Sequence, residues 1–314
     1  MRRITAELVH RLTDLQPGRD LAPIGLGAMN RYTRSTDGQA GALDEQLRVT
    51  RRRDVTPDRR LLAASPDLST VVLGGFEHMV VHLHDRTVKV AIEHADTATL
   101  VSTTRMVVTA PAVTYGDGHH VRLVDLPSAA VLDTVTLDLT DALLFTAPHP
   151  SDGSIVLNAD LGQDGSKNFV VHTADTHLTV TPMRSDVTIS GFNPSGAHLL
   201  LLPHPASENQ ATVLDWPAQR PAGHLKGADL GFTEYGIDMY GCYLSNDQIL
   251  LLTEGGLLLC DAGLAPIAWL DLPTTDDDTQ VASVLGLGPH LFAAEVWANR
   301  AKTAAVWRTP ATHP

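Results

Sequence analysis

The sequence predicts an all-β fold arranged as a single β-propeller, and three observations carry that prediction. A short β-rich run ending in Asp recurs along the chain, the copies lie about one propeller blade apart, and the segments between them repeat one order of strands and turns. A unit of four short strands cannot bury its apolar faces alone, so such a repeat implies stacked sheets.

The recurring runs are VVHLHD ending at Asp85, VRLVD at Asp125, VVHTAD at Asp175, TVLD at Asp215 and LLLCD at Asp261, with a sixth copy, AAVWR, ending at Arg308. Successive ends are 40, 50, 40, 46 and 47 residues apart. Four residues before each end stand Val81, Val121, Val171, Ala211, Leu257 and Ala304, and two before stand Leu83, Leu123, Thr173, Val213, Leu259 and Val306. The intervening column is mixed: His82, Arg122, His172, Thr212, Leu258 and Ala305. Period-two alternation of this kind belongs to strands packed between sheets.

Each interval then runs in the same order. A moderately polar strand such as TVKVAIEH or AAVLDTVTL suits an outer edge, and a strand with small residues, LLAAS or VTISGF, follows. Next comes a tight turn, SPDLS at 65–69, PHPSDGS at 148–154, NPSG at 193–196 or SND at 245–247. Its Pro, Asp, Ser and Gly supply the backbone angles and side-chain hydrogen bonds that reverse a strand. An apolar strand such as HLLLLP or QILLLT leads through a variable loop to the next run.

Third strands ending in two hydrophobic residues and Asp resemble those of the WD40-like or YVTN-like propeller superfamily, over residues 61–308. The chain departs from it in lacking the Gly-His pair before the inner strands, and Trp adjoins a run end only at Trp216 and Trp307. The resemblance implies a propeller whose two termini share a blade. The sixth run ends six residues from the end of the chain, so an N-terminal strand, ITAELVHRL at 4–12, is expected to complete the last blade. The expected domain is then 1–314, with residues 1–15 closing the last blade, 16–60 forming a poorly patterned first blade from LAPIGLG and QLRVTRR, and 61–308 forming six recognisable blades. Seven blades are expected, with six as the alternative.

Composition narrows the class. Hydrophobic residues make up 43% and charged residues 19%, which excludes wholesale disorder. Apolar runs such as Leu199–Leu202 are four residues long, far short of the roughly 20 that span a bilayer as a helix. The N-terminus lacks the pattern of a secretory signal, and a cytoplasmic location is expected. Cys242 and Cys260 are too few for a disulfide framework or zinc module and read as buried, reduced thiols. Net charge is −13, made up of +4 over residues 1–60 (twelve Arg, eight acidic) and −17 over the rest (eleven basic, twenty-eight acidic). An acidic body argues against nucleic-acid binding. Arg51, Arg52, Arg53, Arg59 and Arg60 read as a solvated charge run rather than as a dock for an anionic partner.

In a propeller of this resemblance, the loops joining second to third strands share one face with those joining successive blades, and loops on a rigid scaffold carry function. The candidate binding residues on that face are Glu77, His78, Tyr115, Asp117, His119, Asp164, Lys167, His204, Glu254, Glu295, Trp297 and Arg300. Asp138, Asp141, Asp229, Glu234, Asp276, Asp277, Asp278 and Arg51 to Arg53 are expected there too. His82 and His84 share a strand face but lack a third ligand at metal spacing, and the acidic run at 276–278 lacks a calcium-loop pattern. No nucleophile elbow, P-loop or dinucleotide fingerprint is present; Gly25 and Gly27 lack the third glycine. No cofactor, metal or membrane partner is therefore expected. The expected function is a non-catalytic platform for a protein or peptide, with Trp297 and Arg300 as anchors. The alternative is an enzyme or small-molecule binder using acidic and His residues, His78, His119, His204, Glu77, Glu254 and Glu295 among them.

Overall fold

The computed structural model describes residues 1–13, 21–23, 32–36, 38–112, 118–205, 207–232, 236–273, 279–298 and 301–310. The strands assemble into seven sheets with four antiparallel strands each, the blade set of a seven-bladed β-propeller. In six of the sheets the four antiparallel strands follow one another in chain order, and in the seventh an N-terminal strand takes the fourth place. The contacts divide the chain into two compact units.

The first unit, residues 22–44 and 48–185, holds four sheets. The first consists of Ala22–Pro23, Tyr32–Thr36, Gln39–Leu43 and Val49–Asp54, and the second of Arg60–Ala64, Val71–Gly74, Met79–His82 and Thr87–Val90. The third consists of Thr97–Leu100, Arg105–Pro111, His119–Asp125 and Ala130–Leu137. Leu143–Pro148, Ile155–Asp160, Ser166–Ala174 and His177–Pro182 make the fourth. Separate apolar clusters lie between first and second, second and third, and third and fourth sheets.

The second unit, residues 1–21, 45–47 and 186–314, holds the other three. Val187–Phe192, His198–Pro203, Gln210–Asp215 and Arg220–Lys226 form the fifth sheet, and Ile237–Tyr243, Gln248–Thr253, Gly256–Asp261 and Pro266–Asp271 the sixth. Gln280–Gly288, Leu291–Ala298 and Ala301–Arg308 form the seventh together with Glu7–Leu12. Central strands here are buried on both faces, which is why they read as continuous apolar runs. In QILLLT, Ile249 and Leu251 pack toward the fifth sheet while Leu250 and Leu252 pack toward the seventh. The two thiols separate in the same way, Cys260 on the first side and Cys242 on the second. Both are free, and burial pushes each up to about 12, so neither is a nucleophile at neutral pH.

Every predicted run end falls at or within three residues of the end of a third strand. A seventh lies in the segment expected to be poorly patterned: Gln39–Leu43 is the third strand of the first sheet and is followed by Asp44. Asp44 lies 41 residues before Asp85 (85 − 44), so the period extends through the first sheet. The repeated Asp has a local cause. Asp44 accepts the Arg48 backbone N–H at 2.9 Å, Asp125 that of Ser128 at 3.0 Å, and Asp261 those of Gly263 and Ala265 at 2.9 and 2.8 Å. Each carboxylate closes the turn into the fourth strand. Of the strands expected in this segment, LAPIGLG contributes Ala22–Pro23, and Gly25 and Gly27 lie outside the described residues. QLRVTRR contributes its second half, in Val49–Asp54.

The N-terminal segment differs from the single strand expected at 4–12. Glu7–Leu12 pairs antiparallel with Ala301–Arg308, with Leu8 opposite Trp307 and Leu12 opposite Ala304, and completes the seventh sheet. Arg3–Thr5 instead runs parallel to Pro266–Asp271 as a fifth strand on the sixth sheet, with Ile4 opposite Leu270. Ala6, 2% exposed, sits between the two strands in the apolar cluster shared by those sheets. A mostly polar leader therefore covers two strand edges. Deleting residues 1–14 is expected to lower the thermal midpoint and promote aggregation. An unchanged midpoint with a soluble monomer would count against this role for the two strands.

Candidate functional site

Of the described candidates, Glu77, His78, Asp164, His204 and Glu254 lie in connections between second and third strands, whereas His119, Lys167, Glu295 and Trp297, expected in loops, lie within strands. In the second sheet, residues 75–78 form one such connection, with Phe76 80% exposed and Glu77 exposed beside it. The Phe76 ring meets the edge of His94 at a centroid distance of 4.7 Å and an angle of 73°. His78 is half-buried and held by Arg59, whose guanidinium donates to the His78 carbonyl at 2.7 Å and lies 3.1 Å from Nε2. Gly75 makes room for this clasp, since a Cβ there would stand 2.2 Å from an Arg59 nitrogen.

His94 belongs to residues 91–96, the connection from the second sheet to the third, although VAIEH reads in the sequence as continued strand. The strand ends at Val90. His94 adopts φ 49° and donates its backbone N–H to the Phe76 carbonyl at 3.3 Å, which joins the two connections. Two residues on, Asp96 turns its Oδ2 toward Nε2 of His119 at 3.6 Å. The His119 side chain is 8% exposed and that of Asp96 35%. His119 opens the third strand of the third sheet, and its Nδ1 lies 3.2 Å from the Leu139 carbonyl. Gly118, at φ 94°, sets that approach, because a Cβ would stand 2.2 Å from the Leu137 carbonyl oxygen. Burial raises the Asp96 carboxyl above its usual range, against opposing contributions from His119, Arg60 and His94. Asp96, His94 and Phe76 are absent from the sequence-derived candidates, since a lone Asp or His outside a repeated column gives no signal.

The other candidates scatter. Lys167 reaches the Asp138 carbonyl at 3.5 Å, and Asp164 is exposed in the short helical turn Gly162–Asp164. His204 is buried, with its backbone N–H bonded to Ser207 Oγ at 3.0 Å. Glu254 is exposed, and its backbone N–H goes to the Gly236 carbonyl at 2.9 Å. Glu295 is a buried carboxylate: its side chain, 3% exposed, accepts Lys302 Nζ at 2.6 Å and Ser283 Oγ at 2.8 Å. Trp297, two residues further along that strand, is 47% exposed. Tyr115, Asp117, Glu234, Asp276, Asp277, Asp278, Asn299 and Arg300 lie outside the described residues.

One expectation needs correction. Arg51 to Arg53 are not in a solvated loop; they lie in the outer strand Val49–Asp54. Arg53 is a staple, donating to the carbonyls of Leu68 and Ser69 at 2.6 and 2.7 Å, of His82 at 3.4 Å, and of Leu83. His82 is committed structurally. Its Nε2 accepts the Thr56 backbone N–H at 3.1 Å, so Nδ1, 3.1 Å from Thr87 Oγ1, carries the ring proton. Among the described residues no three His, Cys, Asp or Glu side chains gather as a metal site.

No protein-family model matches the chain, and no curated protein does. Solved structures do. The β-propeller domain of Cps50 (Swd1) from Myceliophteria thermophila superposes with a TM-score of 0.58 at 10% identity, covering 97% of this chain and all of that one. The C-terminal WD40 domain of Sif2 gives 0.53 at 9% identity, covering 99% and 100%. The fold is a WD40-like β-propeller. The Dos1 propeller agrees, at 0.54 and 12% identity over 88% of this chain and 75% of that one. At these identities the likeness of the propeller extends to fold alone. Among the described residues no helix is long and apolar enough to cross a membrane.

Two expected outcomes follow from this geometry. Gly118→Ala should destabilise the propeller by about 1–3 kcal/mol, because the left-handed backbone and the Leu137 carbonyl both oppose a side chain; urea unfolding measures it. Burial and Arg53 hold the His82 imidazole below its ordinary value of 6.5. The unfolded chain therefore takes up this proton first, so the contribution is full above pH 6.5 and is lost as pH falls toward the folded value. Thermal melts from neutral to mildly acidic pH should show a steeper decline for the parent than for His82→Asn.

Proposed function

We propose that the chain is a non-catalytic interaction platform that binds a protein or peptide through the connections between second and third strands. The observation that carries this reading is Phe76, an aromatic ring left 80% exposed on such a connection and held in place by His94. A rigid, exposed aromatic offers contact area at little entropic cost, and residues of this kind dominate interfaces. Trp297 offers the same chemistry near the end of the second strand of the seventh sheet, where Arg300 is proposed to assist it. The propeller neighbours support such a role in general terms.

The acidic body favours a protein over nucleic acid as partner, with no cofactor and a cytoplasmic setting as parts of the same proposal. The alternative, an enzyme or small-molecule binder, has one observation in its favour, the facing of Asp96 and His119.

Partner capture followed by titration tests the platform. Phe76→Ala and Trp297→Ala should each weaken binding by about 2 kcal/mol, roughly thirtyfold in Kd, with the fold intact. Unchanged affinity in both variants would remove the basis for choosing these connections.

A further inference from the structure

We propose that Asp96 and His119 hold one proton in common near neutral pH, and that this proton keeps residues 91–96 seated against the third sheet. The argument begins with the Leu139 carbonyl, which only accepts hydrogen bonds. His119 Nδ1, 3.2 Å away, must therefore carry a hydrogen. In the neutral ring Nε2 is then a lone pair, and it faces Asp96 Oδ2 at 3.6 Å. Oδ2 is buried and has no hydrogen-bond donor among the described residues. Two acceptors facing each other out of water repel, and a proton between them turns the repulsion into attraction. The pair then exists as carboxylic acid with imidazole or as carboxylate with imidazolium, the proton belonging to both groups.

The surrounding charges suit a shared proton. From the second sheet Arg60 acts on Asp96, from the connection itself His94 does, and on the third sheet His120 stands beside His119 with Arg122 next to it. Burial, Arg122 and His119 hold the His120 imidazole below its ordinary value, so His120 does not supply a competing charge. Burial of the Asp96 carboxyl works in favour of retaining the proton.

The consequence is local. Asp96 anchors the connection through its backbone N–H to the Thr109 carbonyl at 2.8 Å, and His94, two residues earlier, carries the edge contact to Phe76. Loss of the proton leaves the two acceptors opposed and loosens residues 91–96 and the Phe76 ring with them. The regulatory meaning, that partner binding weakens as pH rises, rests on the platform reading above; the proton itself does not.

The test therefore uses the full chain without a partner. The folded state holds a proton that the unfolded state releases, so stability falls as pH rises above about 6.5. In Asp96→Asn the amide N–H donates to Nε2, and in His119→Gln the amide donates to Oδ2, so neither variant needs the proton. The thermal midpoint of the parent should fall relative to both variants as pH rises above about 6.5. The His94 amide, corrected for intrinsic exchange, should open about tenfold more in the parent over that range and stay level in the variants. Parallel midpoints and parallel exchange in parent and Asp96→Asn would overturn the proposal. If Asp96→Asn fails to fold, His119→Gln gives the same comparison.

Discussion

The structure depends on one constraint, that a four-stranded sheet with two apolar faces must be covered on both. Third-strand residues show it directly: Val81, Val121, Val171, Ala211, Leu257 and Ala304 are all buried. In the second unit the intervening column, Thr212, Leu258 and Ala305, is buried as well; on the sixth sheet Leu258 packs toward the fifth and Leu257 toward the seventh. In the first unit the same column holds His82, Arg122 and His172, which stay half-buried or exposed. Hydrophobic burial thus fixes the stacking of consecutive sheets within each unit, and the long polar side chains of this column keep part of their surface exposed.

Stacking leaves the turns to be solved locally, and they are solved by side chains bonding to backbone. Asp67 accepts the Ser69 backbone N–H at 3.0 Å and the Ser65 hydroxyl at 2.7 Å, which lowers its carboxyl to about 2. Asp152 does the same for Ser154 at 2.8 Å, and Asn193 for the His198 N–H at 3.1 Å. Arg53 extends the device across sheets by gathering carbonyls that no strand satisfies. Buried backbone groups demand partners, and short polar side chains are the nearest available.

The candidate site arises where this economy is incomplete. Most buried polar side chains of the described chain have a firm hydrogen-bonding partner, as Glu295 has in Lys302 and Ser283. Asp96 Oδ2 faces His119 Nε2 without one, on the connection whose His94 meets the exposed ring of Phe76. The proposed placement of function on connections rests on the same physics, since central strands are largely consumed by packing and loops have side chains to spare.

The sequence by itself determined the repeat, the all-β class, the polar turns and the buried column, because each is a local pattern repeated often enough to read. It also implied that the N-terminus supplies a strand to the last sheet, through the resemblance and the unmatched edge after Arg308. Asp44 was legible as a seventh run end but stood out little, preceded by the small residues Ala40, Gly41 and Ala42. What only the tertiary structure decided was which single residues meet. Arg3–Thr5 on a second sheet, Arg53 as a staple and the approach of Asp96 to His119 join positions whose separation in sequence has no period. Such contacts are set by how loops of unequal length fold back on the stacked sheets, and a linear pattern carries no information about that distance.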